Sequence, residues 1–211
     1  MSANADIHQL VTTVDALGNS EHRVIVAIAG APGAGKSTLA SALQRLLQEA
    51  RNETVPIVPM DGFHLDNAAL EARGHLARKG APFTFDVAGY LDILEQVRGG
   101  TGDVFAPAFD RDNDATRPDA ICIGADARIV LTEGNYLLLN ADPWRAAHHY
   151  FNFTVYLSVG LAELERRLRA RWHDLGLPAA EVARKVERND LVNARLVVGN
   201  SVPADLSIAV S

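Results

Sequence analysis

Five short runs of apolar residues along the chain show the pattern of buried β-strands. Each run is apolar at nearly consecutive positions, which is typical of a parallel strand that is covered on both faces. In the second run, Pro59 predicts a strand end or a sheet edge, because proline cannot donate a hydrogen bond to a neighbouring strand. The predicted strands are residues 23–29, 54–60, 127–132, 153–159 and 206–210.

Apolar residues recur at helical spacing, three and four positions apart, in segments between these strands. The predicted helices are residues 5–17, 39–50, 86–98, about 161–173 and about 178–194. Residues 66–85 predict a helical turn followed by a loop, and the polar stretch 103–119, rich in Asp, Pro and Arg, predicts a further loop. Strands that alternate with helices indicate an α/β fold with a mostly parallel sheet.

Composition and charge limit the classes of function. The 211 residues predict a single domain, 1–211, with a helical extension over residues 1–20. The net charge of −6 speaks against nucleic-acid binding and against attraction to an anionic membrane. We expect a cytoplasmic protein, because the chain shows neither a signal-peptide pattern nor an apolar run long enough to span a membrane.

The segment after the first predicted strand matches the phosphate-binding pattern G-x-x-x-x-G-K-[ST]. Glycines let backbone N–H groups turn towards phosphate oxygens, and the following helix adds its positive N-terminal dipole. We expect Lys36 to reach the β- and γ-phosphates of ATP and the Ser37 hydroxyl to coordinate Mg²⁺. The predicted nucleotide-binding residues are Gly30, Ala31, Pro32, Gly33, Ala34, Gly35, Lys36, Ser37 and Thr38.

Acidic residues follow two of the other predicted strands. Because ligands bind beyond the carboxyl ends of parallel strands, Asp61 and Glu133 are expected near the phosphate loop. Asp61 could accept the proton of a substrate hydroxyl, and Gly62 next to it would leave space for a ligand. Glu133 could hold Mg²⁺ through water or orient the substrate. His64 is either a substrate contact or an ordinary loop histidine.

Arginines on the helix from residue 161 suggest a lid over the nucleotide, at about 162–190. Arg167 and Arg171 lie one turn apart on the same side of this helix, where they could neutralise charge on the transferring phosphoryl group. The alternative is a solvated face stabilised by Glu163–Arg167 and Glu165–Arg169 pairs. Arg78, Lys79 and Arg111 lie in predicted loops that could cover the substrate.

Several motifs together resemble the superfamily of uridine kinase, pantothenate kinase and phosphoribulokinase. More narrowly, the chain is similar to a bacterial branch labelled fructose-transport-system kinase or uridine-kinase-like protein. Besides the phosphate loop, the resemblance rests on Met60–Asn67, Arg78–Pro82, Pro107–Arg111, Glu133–Leu139 and Asn189–Asn193, and it covers about residues 22–200.

The resemblance implies a P-loop kinase fold with five parallel strands, a mobile lid, ATP and Mg²⁺ as cofactors, and a small hydroxyl compound as acceptor. It places the catalytic base at Asp61 and the lid arginines within 167–171, and it brings residues 189–193 towards the adenine. Tyr136, in the Glu133–Leu139 motif, is a further candidate substrate contact. Members of the superfamily are often dimers or tetramers, so a homodimer is compatible.

Three functions compete. The first is a small-molecule kinase, with a sugar such as fructose as the leading acceptor and a nucleoside, pantothenate or nicotinamide riboside as alternatives. The second is a regulatory ATPase that acts with a protein partner and needs no hydroxyl base. The third, a nucleotide-switched nucleic-acid binder, is disfavoured by the acidic charge balance.

Overall fold

A five-stranded sheet forms the centre of the protein in a computed structural model that describes residues 3–100 and 102–210. In the main sheet the strands follow the order β2-β5-β1-β6-β7, and every neighbouring pair is parallel. Strands β3 and β4 form a separate hairpin. The strands are β1 (Val24–Gly30), β2 (Ile57–Pro59), β3 (Val104–Asp110), β4 (Ala115–Ile123), β5 (Ile129–Gly134), β6 (Phe153–Ser158) and β7 (Leu206–Ala209). The prediction of an α/β fold with a five-stranded parallel sheet is therefore confirmed.

Helices cover both faces of this sheet because alternate residues of each strand point to opposite sides. On β1, Val24, Val26 and Ile28 pack in a cluster with Leu10 and Leu43 from the first two helices. The residues between them join the larger cluster on the other face. The helices are α1 (Ala3–Leu17), α2 (Lys36–Arg51), α3 (Asn67–Ala72), α4 (Val87–Gly99), α5 (Leu161–Asp174), α6 (Ala179–Lys185) and α7 (Leu191–Asn200).

Residues 104–123 form an antiparallel hairpin, so the prediction of a loop over residues 103–119 is wrong. Only a few of its apolar residues face the core: Val104, Ala106 and Ile123 are buried near the base. Most of the remaining hairpin is partly or fully exposed, and its register shifts between Ala106 and Ala108. A ribbon with so little buried surface shows no clear apolar alternation, which explains why the strands were missed.

Two other predicted elements change their bounds. Strand β2 is three residues long rather than seven, and it lies at the edge of the sheet as Pro59 predicted. The helix predicted over 178–194 reaches Asn200 and consists of α6, a π-helical turn at Val186–Asp190 and α7. None of the helices in the described part of the chain has the length and apolar character that crossing a bilayer requires.

Candidate active site

The phosphate loop connects β1 to α2, as the sequence predicted, and α2 begins at Lys36. Gly33 and Gly35 have φ angles of 83° and 96°, in the left-handed region that favours glycine. A Cβ at Gly35 would meet no described atom within 4 Å, so the backbone angle and not crowding calls for glycine there. The loop thus presents the start of α2, where unpaired N–H groups and the helix dipole attract an anion.

Lys36 extends from the first residue of α2 into a buried position, with 8% of the residue exposed. Its Nζ donates to the Ala31 carbonyl at 3.1 Å and to Asn135 Oδ1 at 2.6 Å. Burial lowers the pKa of Lys36, and the negative charge of Glu133 opposes this shift. An ammonium group carries three N–H donors, and these two neutral oxygens use two of them. The site therefore fits a phosphate group, which would supply the missing negative charge.

Ser37 and Glu133 meet at the same edge of the sheet. The Ser37 hydroxyl donates to Glu133 Oε1 at 2.8 Å, and Glu133 is 8% exposed. Burial raises the pKa of Glu133, while Lys36 acts in the opposite direction. The described residues contain no cluster of three or more His, Cys, Asp or Glu that could hold a metal alone. Mg²⁺ usually needs only one or two protein oxygens besides phosphate and water, so this hydroxyl–carboxylate pair fits it.

Asp61 lies on the turn that follows β2, and it comes close to the phosphate loop because β2 pairs with β5. The register sets Pro59 opposite Glu133. Arg111, on the hairpin turn, donates from Nη2 to Asp61 Oδ2 at 2.7 Å. His64 Nε2 lies 3.9 Å from Asp61 Oδ1. The fold therefore assembles three of the predicted site residues in one cluster.

Burial keeps His64 uncharged. Its ring stacks on Phe85 with a centroid separation of 4.1 Å, and Phe109 lies 4.8 Å away. Burial is the main cause that lowers the pKa of His64 to about 4, and the charge of Asp61 only partly offsets it. At neutral pH the imidazole next to Asp61 is therefore neutral.

The space beside Gly62 is filled by the β3–β4 hairpin, contrary to the expectation that this glycine leaves space for a ligand. A Cβ at this position would overlap the carbonyl oxygen of Pro107 and lie 2.8 Å from its carbonyl carbon. The residue is buried. The absence of a side chain thus lets strand β3 pack directly on the turn that carries Asp61.

Arg167 contacts the phosphate loop, and the charge of Arg171 acts on Lys36 at the end of that loop. Arg167 donates from Nε to Glu163 Oε1 at 2.6 Å and from Nη1 to the Gly33 carbonyl at 3.5 Å. The charge of Arg171 contributes to the lowered pKa of Lys36, and its guanidinium lies 5.0 Å from the Trp172 ring centroid. The pairing of Arg167 with Glu163 is thus present together with the contact to the loop. The catalytic role of both arginines and the mobility of the lid stay predictions.

Arg78 and Tyr136 form hydrogen bonds with other parts of the protein. Arg78 donates to Asn189 Oδ1 at 3.0 Å and to Asn193 Oδ1 at 3.2 Å. Tyr136 is fully buried, and its hydroxyl donates to the Gly80 carbonyl. Their proposed substrate contacts stay predictions. The two asparagines contact the loop 78–80, and their expected approach to the adenine stays a prediction.

Sequence reasoning missed Asn135 at the site and did not predict the contacts of Lys79. Asn135 was not singled out, although it follows Glu133 directly at a strand end and accepts from Lys36. Lys79 donates to Asn67 Oδ1 at 2.7 Å and to Asp114 Oδ1 at 2.8 Å, which ties three separate loops together. Asn135 could have been identified from its position directly after a predicted strand. No local sequence signal predicts the long-range contacts of Lys79.

Comparisons with known proteins identify the family. No protein-family model matches the chain. It is 34% identical over 194 residues to a Schizosaccharomyces pombe protein named as a candidate uridine kinase, covering 88% of this chain and 83% of that protein. A pantothenate kinase of Parvibaculum lavamentivorans is 32% identical over 166 residues, which are 73% of this chain and 50% of that one.

Among solved structures, a candidate fructose transport system kinase from a Silicibacter species superposes with a TM-score of 0.89. It is 39% identical, and the match covers 99% of each chain. The chain belongs to the superfamily of P-loop kinases that includes uridine kinase, pantothenate kinase and phosphoribulokinase.

Proposed function

We propose that this P-loop kinase transfers the γ-phosphate of ATP, bound with Mg²⁺, to a hydroxyl group of a small metabolite. The observation that carries the proposal is the position of the Asp61 carboxylate at the same sheet edge as Lys36, Ser37 and Glu133. An enzyme that only hydrolyses ATP needs no carboxylate reserved for an acceptor hydroxyl.

The donor side of the site is formed by residues 30–38 and Glu133. Lys36 would bind the β- and γ-phosphates, since its buried ammonium faces only neutral oxygens at hydrogen-bonding distance. Ser37 and Glu133 would hold Mg²⁺, which when bound supplies positive charge to the phosphate oxygens. Arg167 and Arg171 lie where they could stabilise the negative charge that develops during transfer.

Asp61 would take the proton from the acceptor hydroxyl. Its ion pair with Arg111 fixes one carboxylate oxygen, while the other faces the neutral His64 ring. The positioning of the carboxylate by two neighbours is what a general base requires, because proton transfer depends on geometry before it depends on pKa.

Fructose is our leading acceptor, since the relative that matches 99% of this chain carries a fructose transport system name. Relatives named for uridine and for pantothenate keep a nucleoside and pantothenate as alternatives. Nicotinamide riboside is a further alternative. A cytoplasmic location and a homodimer remain predictions.

A coupled assay of ADP formation over sugars, nucleosides, pantothenate and nicotinamide riboside, with detection of the phosphorylated product, tests the proposal. Asp61→Asn should lower phosphoryl transfer by about 10²–10⁴-fold, because it removes the base and keeps the side-chain shape. The exposed neighbour Asp112→Asn is the matched control and should stay near the wild-type rate. ATP hydrolysis without a phosphorylated acceptor, unaffected by Asp61→Asn, would favour the regulatory ATPase.

A further inference from the structure

A cavity of about 490 Å³ opens beside His64, between the hairpin turn and the start of α4. This volume suits a small metabolite. His64 links the cavity to the proposed base, because the same side chain lines it and lies 3.9 Å from Asp61. The His64 side chain is only 10% exposed, and its Nδ1 has no hydrogen-bond partner among the described residues. The cavity therefore lies one side chain away from the proposed base.

The charged residues that line the cavity all have negative charge. Its lining includes the carboxylates of Asp66, Asp86 and Asp114. None of the described lining residues is Lys or Arg. His64 is neutral at pH 7 because burial lowers its pKa to about 4. The wall therefore offers negative charge with no cation of its own.

The cations nearest to the cavity are already paired with carboxylates. Lys79 donates to Asp114 Oδ1 at 2.8 Å, and its side chain is 15% exposed. On the hairpin, Arg111 pairs with Asp61 at 2.7 Å and Arg117 lies 4.0 Å from Asp110. These carboxylate partners reduce the net positive charge that an anionic ligand would meet at the cavity.

The hydrogen-bonding groups at the cavity also favour an uncharged ligand with hydroxyl groups over an anionic one. Asp66 and Asp86 each use Oδ1 to cap a helix, accepting from Ala69 N and Gly89 N, and their second oxygens are not used by these caps. The lining amide of Asn67 already donates to Asp114 Oδ2. Carboxylate oxygens accept from hydroxyl groups, whereas a ligand carboxylate or phosphate offers only acceptors.

We infer that this cavity binds the acceptor and that it selects an uncharged polyhydroxyl compound over one bearing a carboxylate or phosphate. The inference rests on the proposed function, whose acceptor site it specifies. It favours a free sugar or nucleoside over pantothenate or a sugar phosphate. The selection is electrostatic, so it weakens when salt screens the aspartates.

Matched acceptor pairs that keep the same primary hydroxyl test this inference. We would compare panthenol with pantothenate, and uridine with uridine 3′-phosphate, by kcat/KM at low and at high salt. The uncharged member should have a kcat/KM about tenfold higher than the anionic member in at least one pair. Charges a few ångströms apart at a protein surface interact by about 1 kcal/mol or more. The advantage should shrink by about threefold or more at roughly 0.5 M NaCl.

The variant Asp66→Asn/Asp86→Asn separates charge from shape. Asparagine also caps helices, so the fold should be kept while two negative charges are removed. The preference for the uncharged member should fall by about threefold or more. Glu49→Gln, at the far end of α2 and with a 61% exposed side chain, is the control and should leave the preference unchanged.

Calorimetric binding of the same compounds distinguishes failure of this inference from failure of the proposed function. If uncharged compounds bind more tightly but no product forms, the charge selection holds and the phosphotransfer proposal fails. If the anionic members bind or react better, the inference is wrong. A preference that responds neither to salt nor to the double variant also overturns it, as does the absence of binding and turnover for both members.

Discussion

At the residue scale, the site depends on charged side chains that burial places next to neutral groups. Lys36 is buried against a carbonyl and an amide oxygen, and Glu133 is buried against a hydroxyl. Burying a charge without a directly paired opposite charge costs free energy. We interpret this arrangement as functional, because a bound phosphate would pair with Lys36 and a divalent cation would pair with Glu133.

His64 gives a prediction about stability and pH. Its pKa of about 4 in the folded protein lies below the ordinary value of 6.5, so the unfolded chain binds its proton first. The contribution of the neutral ring to stability is therefore present above pH 6.5 and is lost as the pH falls towards about 4. We expect the unfolding free energy of the wild type to decrease over this window by about 3 kcal/mol relative to His64→Gln. Urea unfolding of both proteins at several pH values measures the difference, and parallel profiles would contradict the prediction.

At the element scale, the turn carrying Asp61 depends on direct packing against the hairpin. Gly62→Ala would place a methyl group against the backbone of Pro107, which cannot rotate away as a flexible side chain could. We expect a loss of about 1–3 kcal/mol in stability and a lower kcat, because Asp61 and Arg111 would shift apart. Thermal unfolding and the kinase assay check both effects.

Gly99→Ala is the matched control for this substitution. Gly99 ends α4, and a Cβ there would meet no described atom within 4 Å. Alanine at a compatible position leaves stability unchanged or raises it slightly. Equal effects of the two variants would mean that the contact with the hairpin is unimportant.

The π-helical turn between α6 and α7 gives another prediction at this scale. Such turns are frequent at functional sites. Here the turn contains Asn189, which accepts from Arg78 at 3.0 Å and donates to the Lys79 carbonyl at 2.8 Å. Lys79 in turn holds Asp114 at the proposed acceptor cavity. The C-terminal helices are thereby connected to the acceptor side of the site.

Asn189→Ala should raise the KM for the acceptor and lower stability by about 1–3 kcal/mol, since it leaves buried hydrogen-bonding groups unpaired. The KM for ATP should change little. Arg188→Ala, an exposed neighbour in the same turn, is the control for the general effect of a substitution there. A change in the KM for ATP alone would instead support the expected approach of this segment to the adenine.

How far the elements could be predicted depends on how deeply they are buried. Strands β1 and β5 are buried throughout, so their apolar runs were unmistakable. The β3–β4 hairpin is largely exposed, and its position is fixed by contacts with Gly62 that lie far away in sequence. Local patterns report burial of a segment, but they do not report which distant segment covers it.

At the scale of the whole molecule, topology explains why the donor side of the site was predictable and the acceptor side was not. Parallel strands end at one edge, so Lys36, Glu133 and Asp61 could be brought together from their positions after predicted strands. The proposed acceptor cavity is assembled from α3, the start of α4 and the hairpin turn, none of which belongs to the main sheet. The negative charge that these segments bring together at the cavity can therefore be recognised only in the three-dimensional structure.

The N-terminal helix was predicted as an extension, yet it contributes to one of the two core layers. Leu10 and Val14 are fully buried and pack with residues of α2 and β1. Leu10→Ala should therefore lower stability by about 2–5 kcal/mol, as truncation of a core leucine does. For a chain of 211 residues this corresponds to a drop in Tm of roughly 5–15 °C.

Thermal unfolding of Leu10→Ala should be compared with that of Leu175→Ala, whose side chain belongs to a residue that is 64% exposed. The control should lose little stability, because it removes few buried contacts. Leu10→Ala should keep near wild-type activity well below its Tm, since Leu10 lies neither at the phosphate loop nor at the proposed acceptor cavity. A Tm for Leu10→Ala equal to that of the control would mean that α1 is dispensable for the core and acts as a detachable extension.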